Sequence, residues 1–175
     1  EAMVGLSINT LPLRLGFDHS IAVQDWLPEV RRRQLALRPH EHTPLLKILE
    51  WSELSAGAPL FESLLNFQKQ SWAEQLRAQG NEWANRRFSI RNQPSAPLWA
   101  DTCAGPDLVL KIGYDRTRLE DDAIARMLEH FKNLVCGLAM HPERKVTDVP
   151  WLSSTERHAV VMEWNRTDAE YPPDK

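Results

Sequence analysis

The sequence predicts a layered α/β fold, an α+β sandwich with helices packed on a mixed sheet. Three observations lead there. DLVLKIGYD (107–115) sets Leu108, Leu110, Ile112 and Tyr114 against Val109, Lys111 and Gly113, the two-residue alternation of a strand. Ile124, Met127, Leu128, Phe131, Leu134, Val135 and Leu138 recur three and four apart, the apolar stripe of a helix. Strand-like and helix-like stretches alternate irregularly along 175 residues, enough for one domain with a real core.

Taken in order, residues 4–17 read as an interrupted strand. Leu6 and Ile8 share one parity and Leu11, Leu13 and Leu15 the other, so the phase must slip at Asn9-Thr10. Pro12 places this strand at an edge, at a bulge or between layers. Asp18 or Ser20 can cap an amphipathic helix over 20–38, with Val23, Trp26, Val30 and Leu37 on one face and Pro39 as its stop. Thr43 is placed to cap a shorter helix opened by Pro44. SAGAP (55–59) is a loop, and LFESLLNF (60–67) reads as a buried strand. Residues 68–87 are polar around Trp72 and Trp83, and the pattern leaves helix and irregular excursion both open. Phe88–Arg91 and Leu98–Cys103 are strand candidates, and residues 104–107 read as a hairpin turn before 107–115. Thr117 and Glu120 have capping-box spacing before the long helix, which ends at His141-Pro142. Ser153 and Glu156 repeat that spacing before a last helix with Val160, Val161 and Trp164 inward. RTDAEYPPDK (166–175) reads as a linker.

Composition narrows the function. Hydrophobic content of 42% and charged content of 26% describe a globular chain, and a net charge of −3 gives no bulk electrostatic support for nucleic-acid or anionic-membrane binding. Arg31–Arg33 and Arg86-Arg87 read as solvated surface. No apolar stretch approaches the ~20 residues of a membrane helix. Two cysteines, Cys103 and Cys136, without a CxxC, and no basic leader at EAMVG together suggest reduced thiols and a cytoplasmic location. The chain opens directly on an apolar run with no initiator methionine in first place, which suggests a segment of something longer.

Self-contained chemistry is sparse. His40-Glu41-His42 places two imidazoles at i and i+2, which share no helix face, and no second pair completes a metal site. His19, His130, His141 and His158 are isolated, with His130 on the polar flank of a helix. There is no G-x-S-x-G elbow and no glycine-rich phosphate loop. Asn165-Arg166-Thr167 has the form of a glycosylation sequon, which reads as chance without a secretory signal. The seven tryptophans are spread as packing residues rather than as a base-stacking platform. No catalytic residue and no metal ligand is assigned.

One family resemblance spans almost the whole chain. VGLSINTLPLR (4–14) is similar to the G-x-F-x-N-T-L-P-x-R motif of condensation domains from non-ribosomal peptide synthetases. HEHTPL (40–45) resembles their H-x-x-x-P motif, SAGAPLFESLLNF stands in the place of S-R-N-P-L-F and its strand, and residues 105–167 read like the end of such a domain. The terminal RTDAEYPPDK is similar to a join into an adenylation domain. The resemblance implies the C-terminal half (1–165) of a two-halved, V-shaped fold similar to chloramphenicol acetyltransferase, followed by a linker (166–175).

The family's H-H-x-x-x-D-G lies in the other half, and no such run occurs here. The implied activity joins an acyl or peptidyl thioester on one carrier protein to the amine of an aminoacyl thioester on the next, both riding on phosphopantetheine arms. The implied partners are the N-terminal half, upstream and downstream carrier proteins and an adenylation domain. No cofactor would be bound directly, and the fragment alone would be inert. Ser7, Asn9 and Thr10 become tunnel-lining candidates, and Arg14 a structural one through packing or a salt bridge. Asn9 could instead serve only to satisfy backbone groups at a bulge. Ser7 stands where the family often has Phe, implying a wider wall suited to a bulky or fatty-acyl donor. Ala56 and Ala58 replace the usual Arg and Asn, so any role tied to that arginine is lost. A different class of reading is a non-catalytic platform for a carrier or adenylation domain. A self-sufficient acyltransferase would need a general base that no motif here supplies.

Overall fold

A computed structural model describes residues 8–16, 18–55, 57–89, 96–105 and 107–168. Its centre is a three-stranded mixed sheet of β1 (Ser63–Gln68), β2 (Leu98–Cys103) and β3 (Val109–Tyr114) in that order. β1 runs parallel to β2, with Ser63 opposite Leu98 and Gln68 opposite Cys103. β2 and β3 form the expected antiparallel hairpin, Leu98 opposite Tyr114 and Cys103 opposite Val109. A parallel neighbour requires a long crossover, and residues 69–97 supply it.

That crossover contains α3 (Trp72–Arg77), which resolves the stretch the pattern left open. Its capping box is complete: Glu74 N donates to Ser71 Oγ (3.1 Å), and Ser71 N donates to the Glu74 carboxylate (2.8 Å). Gly113 lies opposite Trp99, and a Cβ there would overlap the indole, so the glycine lets Trp99 lie across β3.

The helical layer follows α1 (Val23–Ala36), α2 (Leu45–Trp51), α4 (Asp121–Met140) and α5 (Ser154–His158). α1 starts without a side-chain cap; Asp18 accepts from the main chain and hydroxyl of Ser20 (both 2.9 Å) one turn too early to serve as one. Its orphan amides are satisfied from far along the chain instead. Val23 N donates to Arg144 O (2.9 Å), Gln24 N to Pro142 O (2.8 Å), and Val146 N returns the contact to Ile21 O (3.0 Å). Val23 and Val149 are buried. A Cβ on Gly137 would lie 2.6 Å from Val149 Cγ1, so α4 admits the 146–150 turn only because it carries glycine at the contact.

Several local expectations are corrected. Residues 8–16 join no ladder and run as an unpaired strap, because the Asn9 side chain engages a distant turn and Pro12 has no amide to donate. Residues 4–7, 17 and 169–175 lie outside the described residues. β1 is a strand but not a buried one: Leu65 is 72% and Phe67 61% exposed on an edge strand of the sheet. Pro39 does not end α1, which stops at Ala36; it sits inside a 3₁₀ turn at Arg38–His40. Pro44, not Thr43, is the extended residue before α2.

Thr117 does not cap α4. Asp115 takes its hydroxyl (2.7 Å) and its amide (2.9 Å), and the helix opens after Glu120. Asp121 in that first turn accepts from Tyr114 Oη (2.7 Å) and pairs with Arg116, whose guanidinium, ahead of the Tyr114 hydroxyl, holds its carboxyl below the ordinary aspartate range. Met127 leaves the predicted α4 stripe for solvent.

His130 is half-buried rather than on a polar flank. Its Nε2 lies 2.8 and 2.9 Å from the two carboxylate oxygens of Glu156, and its ring meets Trp151 edge-on at 4.9 Å. Ser153 does cap α5 through Glu156 N (3.1 Å). Beyond α5 the chain widens into a π turn, Ala159–Glu163, where Trp164 N donates to Ala159 O (2.9 Å). The wider turn rotates Val161 and Trp164 outward, against the predicted inward face.

Among the described residues no helix is long and apolar enough to cross a membrane.

Candidate functional site

The strap and the sheet edge enclose a groove of about 850 Å³. Ile8, Asn9, Thr10 and Leu11 of the strap and Leu64, Leu65, Asn66 and Gln68 of β1 line it. Trp72 of α3 and Trp99 of β2 close the floor, and both also line a second cleft of about 640 Å³ with Phe88, Val109 and Ile112.

The groove is rich in carboxamides and poor in charge. Asp101 and Lys69 are its charged members, and Asp101 accepts from Asn66 Nδ2 (3.0 Å) across the β1–β2 pair. Thr102, on the other face, donates its hydroxyl to Asn66 O (3.0 Å), which locks the register under the groove. Among the described residues no histidine lines either cleft. Among them, too, no three His, Cys, Asp or Glu side chains gather as a metal site.

Asn9 is the most tightly placed side chain of the wall. Its Nδ2 donates to Glu41 O (2.9 Å) and to Thr43 O (2.8 Å), across the turn that precedes α2. His40-Glu41-His42 is therefore part of a structural turn, closed by Thr43 N to His40 O (2.9 Å). Thr10 lies beside Asn9 on the groove wall. Arg14 is exposed; the bond seen there is through its main chain, whose oxygen accepts from Arg33 Nη1 (3.4 Å). Ser7 and Ala56 lie outside the described residues. Sequence reasoning did not foresee Trp72 and Trp99 as shared walls. The Ser71–Glu74 spacing beside Trp72 was a usable signal for α3, whereas no local signal pointed to the Asn9 partners.

A profile of the condensation domain matches residues 1–161. The chain belongs to the condensation-domain family. It is 34% identical, over 172 and 181 residues, to two of the polypeptides that make up the linear gramicidin synthase of Brevibacillus parabrevis. It is 29% identical over 176 residues to bacitracin synthase 3 of Bacillus licheniformis. Each match takes in 98% of this chain but only 2%, 4% and 3% of those relatives, so the chain spans a small part of their length.

Proposed function

We propose that residues 1–165 of this condensation-domain chain are the C-terminal subdomain of a non-ribosomal peptide synthetase condensation domain, one half of a chloramphenicol acetyltransferase-like pair. Residues 166–175 then lead into an adenylation domain. The groove is one wall of the tunnel in which the amine of an aminoacyl thioester attacks the carbonyl carbon of an acyl or peptidyl thioester. A C–N bond forms, the C–S bond breaks, and the amine proton leaves with the released thiol. Asn9 and Thr10 serve on that wall, as does Ser7 on the resemblance alone, and Arg14 is structural.

One observation carries this reading: in a chain of the condensation-domain family, a groove of substrate size lies between the strap and an exposed sheet edge. Proton transfer needs a side chain within hydrogen-bond reach of the amine, and the one carboxylate among the described groove residues, Asp101, is engaged by Asn66. On the family resemblance, the base belongs to the H-H-x-x-x-D-G run of the proposed N-terminal half. The surface supports a second body there, since Leu65, which lines the groove, and Phe67 stand exposed on an edge strand. The donor set fits a phosphopantetheine arm held by a partner carrier. Gln68, Gln70 and Gln75 can pair with the amides of a neutral chain while Leu64 and Trp99 cover its apolar length. When present, the arm supplies the thioester; the residues here hold and orient it and exclude water.

The test supplies two loaded carriers to this chain alone and to the same chain with the proposed N-terminal half. Amide product is expected only in the second case. Product from this chain alone overturns the proposal. The platform reading draws on the exposed Val161, Met162 and Trp164 after α5; it is favoured if neither mixture reacts while a neighbouring domain binds.

A further inference from the structure

We infer that Asn9 is a positioning residue, setting the width of the groove by clamping the Glu41–Thr43 turn to the strap. The inference rests on the proposed condensation role and names how one wall of that site is held.

A carboxamide has two N–H donors. Two hydrogen bonds leave Asn9 Nδ2, to carbonyls 32 and 34 residues along the chain, and these spend both donors. Only Oδ1 remains to turn elsewhere. The strap has no ladder to hold it, and its other tie, Arg33 Nη1 to Arg14 O, is long at 3.4 Å. The turn is anchored in its own right by the 3₁₀ hydrogen bonds Glu41 N to Arg38 O (3.2 Å) and Thr43 N to His40 O (2.9 Å). The α2 N-terminus has no side-chain cap of its own. Asn9 thus transmits the place of a fixed turn to Ile8, Thr10 and Leu11, and these line the groove with Leu64 and Asn66.

A direct role and a clamping role predict opposite orders of variants. If Asn9 touched substrate through Oδ1, Asn9→Asp would keep an acceptor and be milder than Asn9→Ala. As a clamp, Asn9→Asp loses both donors and also sets a carboxylate against two carbonyl oxygens, so it must be worse than Asn9→Ala. Losing a clamp loosens binding of both arms before and at the transition state, so the loss falls on KM, whereas losing a contact made only in the transition state lowers kcat.

The experiment uses the intact polypeptide that carries this chain, with loaded donor and acceptor carriers. Asn9→Ala is expected to raise KM for a loaded carrier several-fold and Asn9→Asp on the order of tenfold or more, with kcat changed less than KM. Amide hydrogen exchange over residues 41–47 should rise in the same order. Arg33→Ala, which loosens the strap from its far end without touching the groove, should raise KM in the same direction by a smaller factor, and it stands in if the Asn9 variants misfold. Asn9→Asp milder than Asn9→Ala, or a loss confined to kcat with unchanged exchange, overturns the inference. A wild-type protein that makes no amide product overturns the proposed function instead, and the exchange measurement still decides the clamp.

Discussion

Where α1, α4 and the 146–150 turn meet, Val23 is fully buried and Val149 is 3% exposed; along β1 and α2, Leu65, Leu46 and Trp51 are each 72% exposed. The chemistry of the side chains is the same on both sides. What differs is whether a second layer exists within the described residues. On the α1–α4 side, main-chain hydrogen bonds join segments more than a hundred residues apart, and Gly137 lets the turn seat on the helix. On the β1 side the sheet ends at an edge strand whose outer face meets water. The first region is closed by main-chain bonds between its own segments, and the second leaves large apolar side chains exposed, as the proposed partner half would require.

The comparison can be tested first at its tightest contact. Gly137→Val would gain only about 0.4 kcal/mol of helix propensity, but its side chain would overlap Val149, and overpacking of a closed core costs about 1–3 kcal/mol. The clash wins, and the urea midpoint should fall accordingly. A midpoint at or above that of the wild type would mean the α1–α4 side is loosely packed.

A paired substitution comes next. Val23→Ala should cost about 2 kcal/mol, whereas Leu65→Ser should cost less than ~0.5 kcal/mol in this chain. Leu65→Ser should become costly once the proposed N-terminal half is bound, seen as weakened association of the two halves. Equal costs without the partner would make β1 part of a core and remove the contrast.

The smallest expected effect is electrostatic and lies on the exposed face of α1. Arg32, and after it Arg33, bond the Glu29 carboxylate and bring its pKa from 4.5 down to about 2. A lowered carboxylate value means a contribution to stability that is full above about pH 4.5 and is lost as pH falls through about 2. The Glu29 side chain is open to solvent, so the stability change is slight and is better read from the carboxyl resonance than from a melt. A midpoint near 4.5 at low salt would show that the Arg32 and Arg33 pairing is absent in solution.

Much of the helical layer was readable from letters. Ile124, Leu128, Phe131, Leu134, Val135 and Leu138 form an unbroken stripe, and α4 follows it because burial at that period needs no information from elsewhere. DLVLKIGYD likewise became β3. Capping was less legible, since one spacing can be used or bypassed. Ser71 and Glu74 form a full box, while Thr117 and Glu120 do not because Asp115 lies closer to the Thr117 hydroxyl.

The strap shows the limit most clearly. An apolar run with strand-like letters joins no sheet, and the reason is a carboxamide bond to a turn 32 residues away. The same holds for the proposed site. The motif around Asn9 pointed to a place in a family, but only the folded chain set Asn9 on a groove wall and gave its N–H groups to Glu41 and Thr43.

Local periodicity and composition therefore settled which stretches become helix or strand, because those preferences act between residues a few positions apart. Pairing of β1 with β2, burial of Val23 under the 146–150 turn, and the groove between strap and sheet were settled by contacts between distant segments. Such contacts depend on which surfaces meet, and no window of neighbouring residues contains that information.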